Sequence, residues 1–385
     1  MIQPHGGTLV DRLVSDEARD ALLAQAESLP SVTLDSRERS DLEMIATGAM
    51  SPLTGFLNQA DYEGVVEGMR LANGTLWPLP VVLSATDEEV AAVAEGDRVA
   101  LRDADGALLG VMTVESKWQP DKQRELQACF RGDENHPAWG YLQSSGSWYL
   151  GGPIEVVALP RHENFLEHRL TPAQTRAAFA ERGWNTVSAF QTRNPIHRAH
   201  EYLTKVALEQ TDGLLVHPLV GDTKSDDVPS EVRMQCYQVL LEKYYPMDRT
   251  LLAVYPQAMR YGGPREAVLH AICRQNYGCT HIIIGRDHAG VGDYYGTFDA
   301  QQIFDDLGDD LEIQTLRFEH AFYCKLTGGM ATTKSSPAGP EDRIFLSGTK
   351  VREMLSKGER PPAEFTRPEV ADILIDAYAK RGAGV

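Results

Sequence analysis

The sequence predicts an α/β protein with a β-rich N-terminal part, a doubly wound parallel sheet and a small helical C-terminal portion. Residues 1–165 contain strand and hairpin patterns, and residues 166–320 alternate short apolar strands with helices. Residues 321–385 contain a loop rich in Gly, Ser and Thr, followed by two helical stretches. Strands that alternate with helices are typical of a parallel sheet covered by helices. We therefore expect three parts with these boundaries.

The N-terminal part is predicted to be β-rich from its turns and strands. In "DRVALRDADGALLGVMTV", the turn residues Asp105 and Gly106 separate two apolar runs, which is the pattern of a β-hairpin. The stretch "LWPLPVVLSA" is a second strand candidate, and its prolines favour a position at a sheet edge. The first 165 residues thus contain strands before any regular alternation with helices begins.

The central part begins with a helix signal, in which Thr171 and Gln174 form a capping box and Pro172 takes the first helical position. Apolar runs predict strands at 186–190, 214–219, 251–255, 281–285 and 312–317. Helical stretches fill the gaps between them at 195–209, 230–244, 264–277 and 299–307. In the common strand order 3-2-1-4-5, the first and fourth strands are neighbours, and ligands bind beyond their carboxyl ends.

The C-terminal portion begins with a loop over 326–342, "LTGGMATTKSSPAGPED", which has no clear strand or helix pattern. Two helices are predicted after it, at 348–357 and 367–380. The loop must be ordered by hydrogen bonds and packing or remain mobile, and its glycines and prolines favour some mobility.

Composition and charge restrict the class of protein. Apolar residues make up 42% of the chain, as in folded proteins, and no apolar run is long enough to span a bilayer. The net charge of -18 argues against nucleic acid or anionic membranes as partners, because both require a basic surface. The start lacks a secretion signal, and five scattered cysteines favour reduced thiols. We expect a cytoplasmic protein.

The stretch "QTRNPIHRAH" follows the first strand and has the residues of an anion site. Asn194 is a good N-cap, and Pro195 suits the first helical position. His197 and His200 would then share a face beside the positively charged helix N-terminus and Arg193. The alternatives are an ordinary helix start with two surface histidines, or a metal bound by the histidine pair.

The stretch "HIIIGRDHAGVGDYYG" follows the fourth strand. Arg286 and His288 could hold anionic oxygens, Asp287 could bind a ribose hydroxyl, and the glycines allow a ligand to approach the backbone. The alternative is a charged loop with an internal Arg–Asp pair. Because strands one and four are expected to be neighbours, the two stretches should meet at the switch point of the sheet.

Three further cations are weaker candidates. Arg260 and Arg265 follow the third strand in "YPQAMRYGGPREAVLHA" and could add positive charge, although this stretch could equally be an ordinary loop. Lys224 could cover a phosphate, or could simply be solvated.

The two motifs together resemble those of the ATP sulfurylase (sulfate adenylyltransferase) family in its single-polypeptide, homo-oligomeric form. The resemblance extends along the chain through "SPLTGF", "GGPREA" and "LSGTKVREML". It implies a PUA-like N-terminal domain, a nucleotidyltransferase-type α/β domain and a small C-terminal portion. It also implies that sulfate is joined reversibly to the α-phosphate of ATP, with Mg²⁺ on the nucleotide, giving adenosine 5'-phosphosulfate and pyrophosphate.

The resemblance further implies roles for individual residues, none of which is a covalent nucleophile. The implied catalytic residues are Thr192, Arg193, Asn194, His197 and His200. Sulfate would be held by Gln191, Arg193 and the backbone at Ala289. The nucleotide would be bound by Gly285, Arg286, Asp287 and His288. Asn194 would contact phosphate oxygens, and the two histidines would hold the phosphates as charge moves toward pyrophosphate.

One departure from the family concerns zinc, which some bacterial members bind with the spacing C-x2-C-x8-C-x3-H. Here Cys324 occupies the first position, but Thr327, Ser336 and Pro340 occupy the others, so we expect no structural zinc. Two rival functions remain. One is an adenylyltransferase that acts on a different acid, and the other is a non-catalytic RNA-binding protein built on the PUA-like domain.

Overall fold

The computed structural model of the chain describes residues 2–223, 227–345 and 348–382. The N-terminal helices are α1 (Asp16–Ala26), α2 (Ser36–Ala46), α3 (Gln59–Gly68), α4 (Lys122–Phe130) and α5 (Pro137–Ser144). The strands there are β1 (Ser31–Thr33), β2 (Gly55–Phe56), β3 (Leu83–Ala85), β4 (Arg98–Arg102), β5 (Leu108–Thr113), β6 (Ser116–Trp118) and β7 (Trp148–Val156). They form one sheet in the order β1-β4-β5-β7-β2, with β3 and β6 also paired to β7. The predicted hairpin is confirmed as β4 and β5, with Gly106 in their turn at a φ of 86°.

Helix α2 connects this sheet to the rest of the molecule through buried acidic side chains. The helix begins with a capping box between Asp35 and Glu38. The Glu38 carboxylate also accepts the N–H of Ser84 in β3 at 2.7 Å, and burial raises the pKa of Glu38 to about 8. One turn further along, Asp41 forms a 2.5 Å ion pair with Arg260 of the central part. Both partners of this pair are buried, so the ion pair belongs to the interior of the protein.

Within its described residues, the central part contains five parallel strands. These are β8 (Val187–Thr192), β9 (Gly213–Pro218), β10 (Thr250–Leu252), β11 (His281–Ile284) and β12 (Gln314–Arg317). The helices are α6 (Pro172–Glu181), α7 (Arg198–Leu208), α8 (Ser230–Tyr244), α9 (Pro264–Asn276) and the short α10 (Asp299–Gln302), which continues as a 3-10 turn. The sheet order is β10-β9-β8-β11-β12, which confirms the predicted 3-2-1-4-5 arrangement.

The central sheet is covered on both faces, as its almost wholly apolar strands predict. Successive residues of a strand point to opposite faces. In β11, Ile282 and Ile284 therefore join a core that continues into the N-terminal sheet, whereas Ile283 joins a second core beneath α8. Ala189 and Phe190 of β8 divide in the same way. One face of the central sheet thus shares its core with the N-terminal part.

Helix α7 begins later than predicted, at Arg198, with His197 as its N-cap. Asn194 is therefore not the N-cap, and Pro195 is not the first helical residue. The hydroxyl of Thr192 donates to the carbonyl of Asn194 at 2.9 Å and accepts the N–H of Asn194 at 3.1 Å, which closes a tight turn after β8. Because proline disfavours the helical conformation in the residue before it, this turn leads into an extended segment before the helix starts.

The C-terminal portion contains a small sheet that the sequence did not predict. Strands β13 (Phe322–Cys324), β14 (Gly329–Ala331) and β15 (Arg343–Ile344) pair antiparallel in the order β14-β13-β15. They are followed by the two predicted helices, α11 (Gly348–Ser356) and α12 (Pro368–Gly382). Helix α12 packs on α8, where Glu369 accepts hydrogen bonds from Lys243 and Tyr244. Within the described ranges, no helix has the length and apolarity needed to cross a membrane.

Candidate active site

Both polar motifs follow neighbouring strands and meet at one edge of the central sheet. Strands β8 and β11 pair in parallel, so the segments after them leave the sheet at the same end. They border a cavity of about 240 Å³. The residues that line it are Arg193, Gly263, Pro264, Asp287, His288, Gly290, Val291, Gly292, Tyr295, Gly296 and Ala300. The predicted convergence at the switch point is thus present in the structure.

The cavity also receives the N-terminus of α9, which contributes Gly263 and Pro264. Free N–H groups and a partial positive charge are available at such a helix end, which favours an anion. Gly263 has a φ of 52°, and a Cβ atom there would lie 2.7 Å from the Tyr295 ring, so a larger residue does not fit. The sequence predicted this favourable helix end at α7, but the cavity is bordered by that of α9.

Arg193 contributes a cationic side chain to the cavity. Its guanidinium lies 3.1 Å from the carboxylate of Asp227 and 5.3 Å from the ring centroid of Tyr261. Arg193 is half-buried, and the Asp227 carboxylate is largely buried as well. An anion that binds Arg193 must therefore share the guanidinium with Asp227. No local signal in the sequence identified either Asp227 or Tyr261 as a partner.

The other residues around the end of β8 have different surroundings. Gln191 is half-buried in the strand, opposite His217 of β9. Thr192 is buried and braces the turn described above, while the side chain of Asn194 is exposed just beyond it. The carbonyl of Asn194 also accepts a hydrogen bond from the Tyr237 hydroxyl at 2.7 Å. Hydrogen bonds from Thr192 and from Tyr237 thus hold the backbone around Arg193 in place.

His197 and His200 are not among the residues that line this cavity, and their rings lie beside the apolar rings of Phe365 and Phe190. The centroids of the two histidine rings are 6.4 Å apart, and the His197 ring contacts Phe365 at 4.6 Å. Burial lowers the pKa of His197 to about 3 and that of His200 to about 4. Within the described residues, Nδ1 of neither ring has a hydrogen-bond partner. Both histidines are therefore neutral near pH 7, and each has unused hydrogen-bonding capacity.

The loop after β11 has an unusual backbone. Asp287 and Ala289 have φ values of 53° and 57°, in a region that L-residues rarely adopt. Hydrogen bonds hold this conformation: the Asp287 N–H donates to Thr297 at 2.9 Å, and the Gly263 N–H donates to the carbonyl of Ala289 at 3.1 Å. Strain of this kind persists only where the surroundings impose it, and it concentrates at functional sites.

The charged residues of this loop differ in exposure. Arg286 and Asp287 are exposed and form a 3.2 Å ion pair, as the alternative interpretation of this loop predicted. Arg286 also lies 3.3 Å from the Nδ1 atom of His320, which follows β12 at the same edge of the sheet. The half-buried His288 follows Asp287, and Gly285 is half-buried at the end of β11. His320 could have been found by the topological argument, because residues after every strand emerge at this edge.

Arg260 and Arg265 do not line the cavity, so the interpretation that they add positive charge there is wrong. Arg260 is buried in its ion pair with Asp41. Arg265 donates to the backbone carbonyls of Val65 and Pro78 in the N-terminal part, at 2.9 and 3.2 Å. Both cations thus connect the two parts of the molecule. Lys224 lies outside the described residues.

The segment in which some family members bind zinc is held together by hydrogen bonds. Cys324 is buried in the small C-terminal sheet, with its sulfur 3.4 Å from the Ser336 hydroxyl. Ser336 in turn accepts the N–H of Ala338 at 3.2 Å. Among the residues that the structure describes, no group of three or more His, Cys, Asp or Glu side chains could hold a metal ion.

We predict that the purified protein contains no structural zinc. A structural zinc site normally needs four Cys or His ligands, and hydroxyls that remain protonated at neutral pH are poor substitutes. Metal analysis of protein purified without chelators should give far less than one zinc per chain, and chelation should not change the thermal midpoint. One zinc per chain, lost together with thermal stability on chelation, would show that this segment has been misinterpreted.

Comparison with known proteins identifies the family. The family model described as ATP-sulfurylase matches residues 167–377, and the model described as PUA-like domain matches residues 2–159. A protein named sulfate adenylyltransferase from Synechococcus sp. is 57% identical, covering 99% of this chain and 98% of the relative. One of the same name from Symbiobacterium thermophilum is 56% identical, covering 97% and 96%.

A solved structure gives the same result for the fold. The structure of a hexameric APS kinase from Thiobacillus denitrificans has a TM-score of 0.78 and 30% identity to this chain. The match covers 97% of this chain and 68% of that one. The family model for the central part and the relatives aligned over nearly the whole length agree with one another. This chain belongs to the ATP-sulfurylase family, with a PUA-like domain at its N-terminal side.

Proposed function

We propose that this protein is a sulfate adenylyltransferase that joins sulfate to the α-phosphate of ATP and releases pyrophosphate, in a reversible reaction. ATP enters as its Mg²⁺ complex, and adenosine 5'-phosphosulfate is the second product. The observation that carries this proposal is the cavity in which Arg193, the loop after β11 and the N-terminus of α9 converge. The names of the full-length relatives support the same activity.

The cavity suggests how the roles are divided. Arg193 and Gln191 hold sulfate, together with the backbone at Ala289. Asn194 contacts phosphate oxygens beside the turn after β8. The nucleotide lies along the loop after β11, against Gly285, Arg286, Asp287 and His288. Support comes from the positions of Arg193, Asp287 and His288 on the wall of one cavity.

Sulfate imposes a particular chemistry on this site. One sulfate oxygen attacks the α-phosphorus, a new P–O bond forms, and the bond to the bridging oxygen breaks, so that the electron pair leaves with pyrophosphate. Sulfate has no proton for a base to remove, and no covalent enzyme intermediate is required. Catalysis then depends on holding both anions in line and on stabilising the charge that develops. Arg193 supplies positive charge, while Thr192 fixes the turn that presents it.

We further propose a division into 1–165, 166–320 and 321–385, a cytoplasmic location and a homo-oligomeric state. The family matches, which end at 159 and begin again at 167, support the first boundary. The hexameric assembly of the related Thiobacillus denitrificans protein supports the oligomer.

Two assays with one preparation test the proposed activity. With Mg²⁺, the protein should make ATP from adenosine 5'-phosphosulfate and pyrophosphate, and it should release pyrophosphate from ATP only when sulfate is added. A preparation that does neither contradicts the proposal. Release that depends on a different acid would favour the rival adenylyltransferase. Tight RNA binding in a filter assay would favour the RNA-binding alternative, against which the net charge of -18 counts.

His197 and His200 should contribute less to the rate than a cation. Because both are neutral, each can give the departing pyrophosphate a single uncharged hydrogen bond. Replacing either residue with alanine should therefore lower kcat by about tenfold, the scale of about 1.5 kcal/mol for one such bond. ATP binding should weaken less than kcat falls. If the pair instead binds a metal, protein treated with EDTA should recover with Zn²⁺ but not with Mg²⁺.

A further inference from the structure

A series of buried hydrogen bonds runs from the cavity into the core of the central part. The Nε2 atom of His288 lies 3.0 Å from Nδ1 of His270. On the other side of its ring, Nε2 of His270 lies 3.4 Å from the amide nitrogen of Gln257. That nitrogen also donates to Glu266 at 3.2 Å, and the amide oxygen accepts the Tyr255 hydroxyl. Of these residues, only His288 is not fully enclosed.

The partners of Glu266 fix the direction of these hydrogen bonds. Its carboxylate accepts the backbone N–H groups of Arg260 and Gly262, both at 2.9 Å, so it acts as an acceptor. Gln257 must therefore turn its NH₂ group toward Glu266 and its oxygen toward the Tyr255 hydroxyl. The same NH₂ group lies 3.4 Å from Nε2 of His270. A Glu266 carboxylate oxygen lies 3.7 Å from that nitrogen, which is too far for a hydrogen bond, so Nε2 of His270 accepts from the amide.

The hydrogen bond accepted by His270 then determines which nitrogen is protonated in each of the two imidazole rings. A neutral histidine that accepts at one ring nitrogen carries its proton on the other. His270 is therefore protonated at Nδ1 and donates to Nε2 of His288. His288 must in turn carry its own proton on Nδ1. Among the described residues, Nδ1 of His288 has no hydrogen-bond partner, and His288 lines the cavity.

Burial and the positive charge of Arg274 disfavour the doubly protonated form of these rings, and they outweigh the Glu266 carboxylate 3.7 Å from Nε2 of His270. Burial and the charge of Arg274 lower the pKa of His288 to about 3 and hold that of His270 well below its usual value. Arg274 is fully buried and lies against the Tyr255 ring at 3.6 Å. Its guanidinium nitrogens make no hydrogen bond with the described residues, so its charge is poorly screened. A second proton on either ring would also place two donors against each other. Protonated Nε2 of His288 would face the Nδ1–H of His270, and protonated Nε2 of His270 would face the NH₂ group of Gln257.

We propose that His270 and Gln257 are positioning residues that hold His288 in its Nδ1–H tautomer, so that this N–H is offered to nucleotide phosphate oxygens in the cavity. This role rests on the proposed function, because phosphate oxygens only accept hydrogen bonds. The opposite tautomer would present a lone pair to the ligand and replace an attraction with a repulsion. His270 and Gln257 act only through His288 and touch no ligand themselves.

The tautomer can be measured in ligand-free protein, so this test does not depend on the reaction. Solid-state ¹⁵N spectra of histidine-labelled protein, with His288 assigned by comparison with His288→Asn, should show a protonated Nδ1 and an unprotonated Nε2. A protonated Nε2 at His288 in the wild type would overturn the proposal. If the tautomer is as expected but the wild type makes no ATP from adenosine 5'-phosphosulfate, the proposed function fails and this assignment stands.

Variants of His270 provide a second test of the proposal. His270→Leu removes the donor and should lower kcat/KM by about tenfold, with a mixture of tautomers at His288. His270→Asn keeps an N–H near the position of Nδ1 and should restore most of the activity and the wild-type signals. His217→Leu is the matched control, because His217 is an equally buried histidine whose Nε2 pairs with the carbonyl of Val254 instead of with His288.

A purely structural role predicts a different pattern. His270→Leu and His217→Leu would then lose similar activity and stability, and the signals of His288 would not change in either variant. That result would overturn the proposal, as would His270→Asn being as impaired as His270→Leu. If the His270 variants do not fold, the wild-type spectra still decide the tautomer.

Discussion

Replacing Arg193 with alanine should lower kcat/KM in both directions by at least about 100-fold, the scale seen when one donor to a developing charge is removed. Among the described residues that line the cavity, Arg193 supplies the cationic side chain. A charged donor in a partly buried site stabilises an oxyanion much more than a neutral hydrogen bond does. Arg193→Lys should recover part of the loss, because it keeps the charge but not the two-pronged geometry.

The loss of activity in Arg193→Ala could also come from the charge of Asp227, and a double variant separates the two causes. Removing Arg193 also removes the guanidinium 3.1 Å from the Asp227 carboxylate, whose charge would then repel incoming sulfate and nucleotide. If this repulsion causes the loss, Arg193→Ala combined with Asp227→Asn should regain most of the activity. If the missing cation causes the loss, the double variant should remain as impaired as Arg193→Ala.

An exposed arginine serves as the control for the change in net charge. Arg182 lies on the surface after α6, where its guanidinium donates to the carbonyl of Ala178 in its own helix and lies 5.5 Å from the Trp184 ring centroid. Arg182→Ala should keep full activity at the same ionic strength. Wild-type turnover in a folded Arg193→Ala protein would show that Arg193 is not a sulfate ligand and would leave only Gln191 and the backbone at Ala289 in that role.

The order of the central sheet could be predicted because each strand is a short apolar run between helices. A parallel sheet buried on both faces needs such strands. As this requires, Ile282 and Ile283 point to opposite faces of the sheet and belong to two different hydrophobic cores. The strands of the C-terminal sheet could not be found in this way. They are two or three residues long, and their order depends on contacts such as Cys324 with Ser336 that no local pattern reveals.

The convergence of the two motifs was predictable for the same topological reason. Once β8 and β11 are neighbours, Arg193 and His288 must emerge at the same edge of the sheet. The partners of these residues were not predictable. Asp227 and His270 reach Arg193 and His288 from other segments, and a sequence shows a charge without showing what neutralises it. Arg260 illustrates the point, since its charge was visible but its burial was not.

Asp41→Ala should cause a large loss of stability, about 3–5 kcal/mol in the free energy of unfolding, which is typical when one partner of a buried ion pair is removed. The pair is 2.5 Å long, and the side chains of Arg260 and Asp41 are only 3% and 2% exposed. It joins α2 of the N-terminal part to the loop before α9. Without Asp41, Arg260 would remain charged and buried, because a guanidinium does not deprotonate in proteins.

Urea unfolding of three variants separates the pair from its surroundings. Glu353→Ala is the control, since Glu353 and Lys357 form an ion pair with both side chains exposed, and solvent screens such a pair so that it contributes little to stability. Adding Arg260→Met to Asp41→Ala removes the uncompensated charge and should restore much of the lost stability, because an apolar side chain can replace a buried charge. The decisive comparison is between the single and the double variant. If Asp41→Ala is no less stable than Glu353→Ala, or if Arg260→Met adds to its loss, the two charges do not stabilise this junction as a pair.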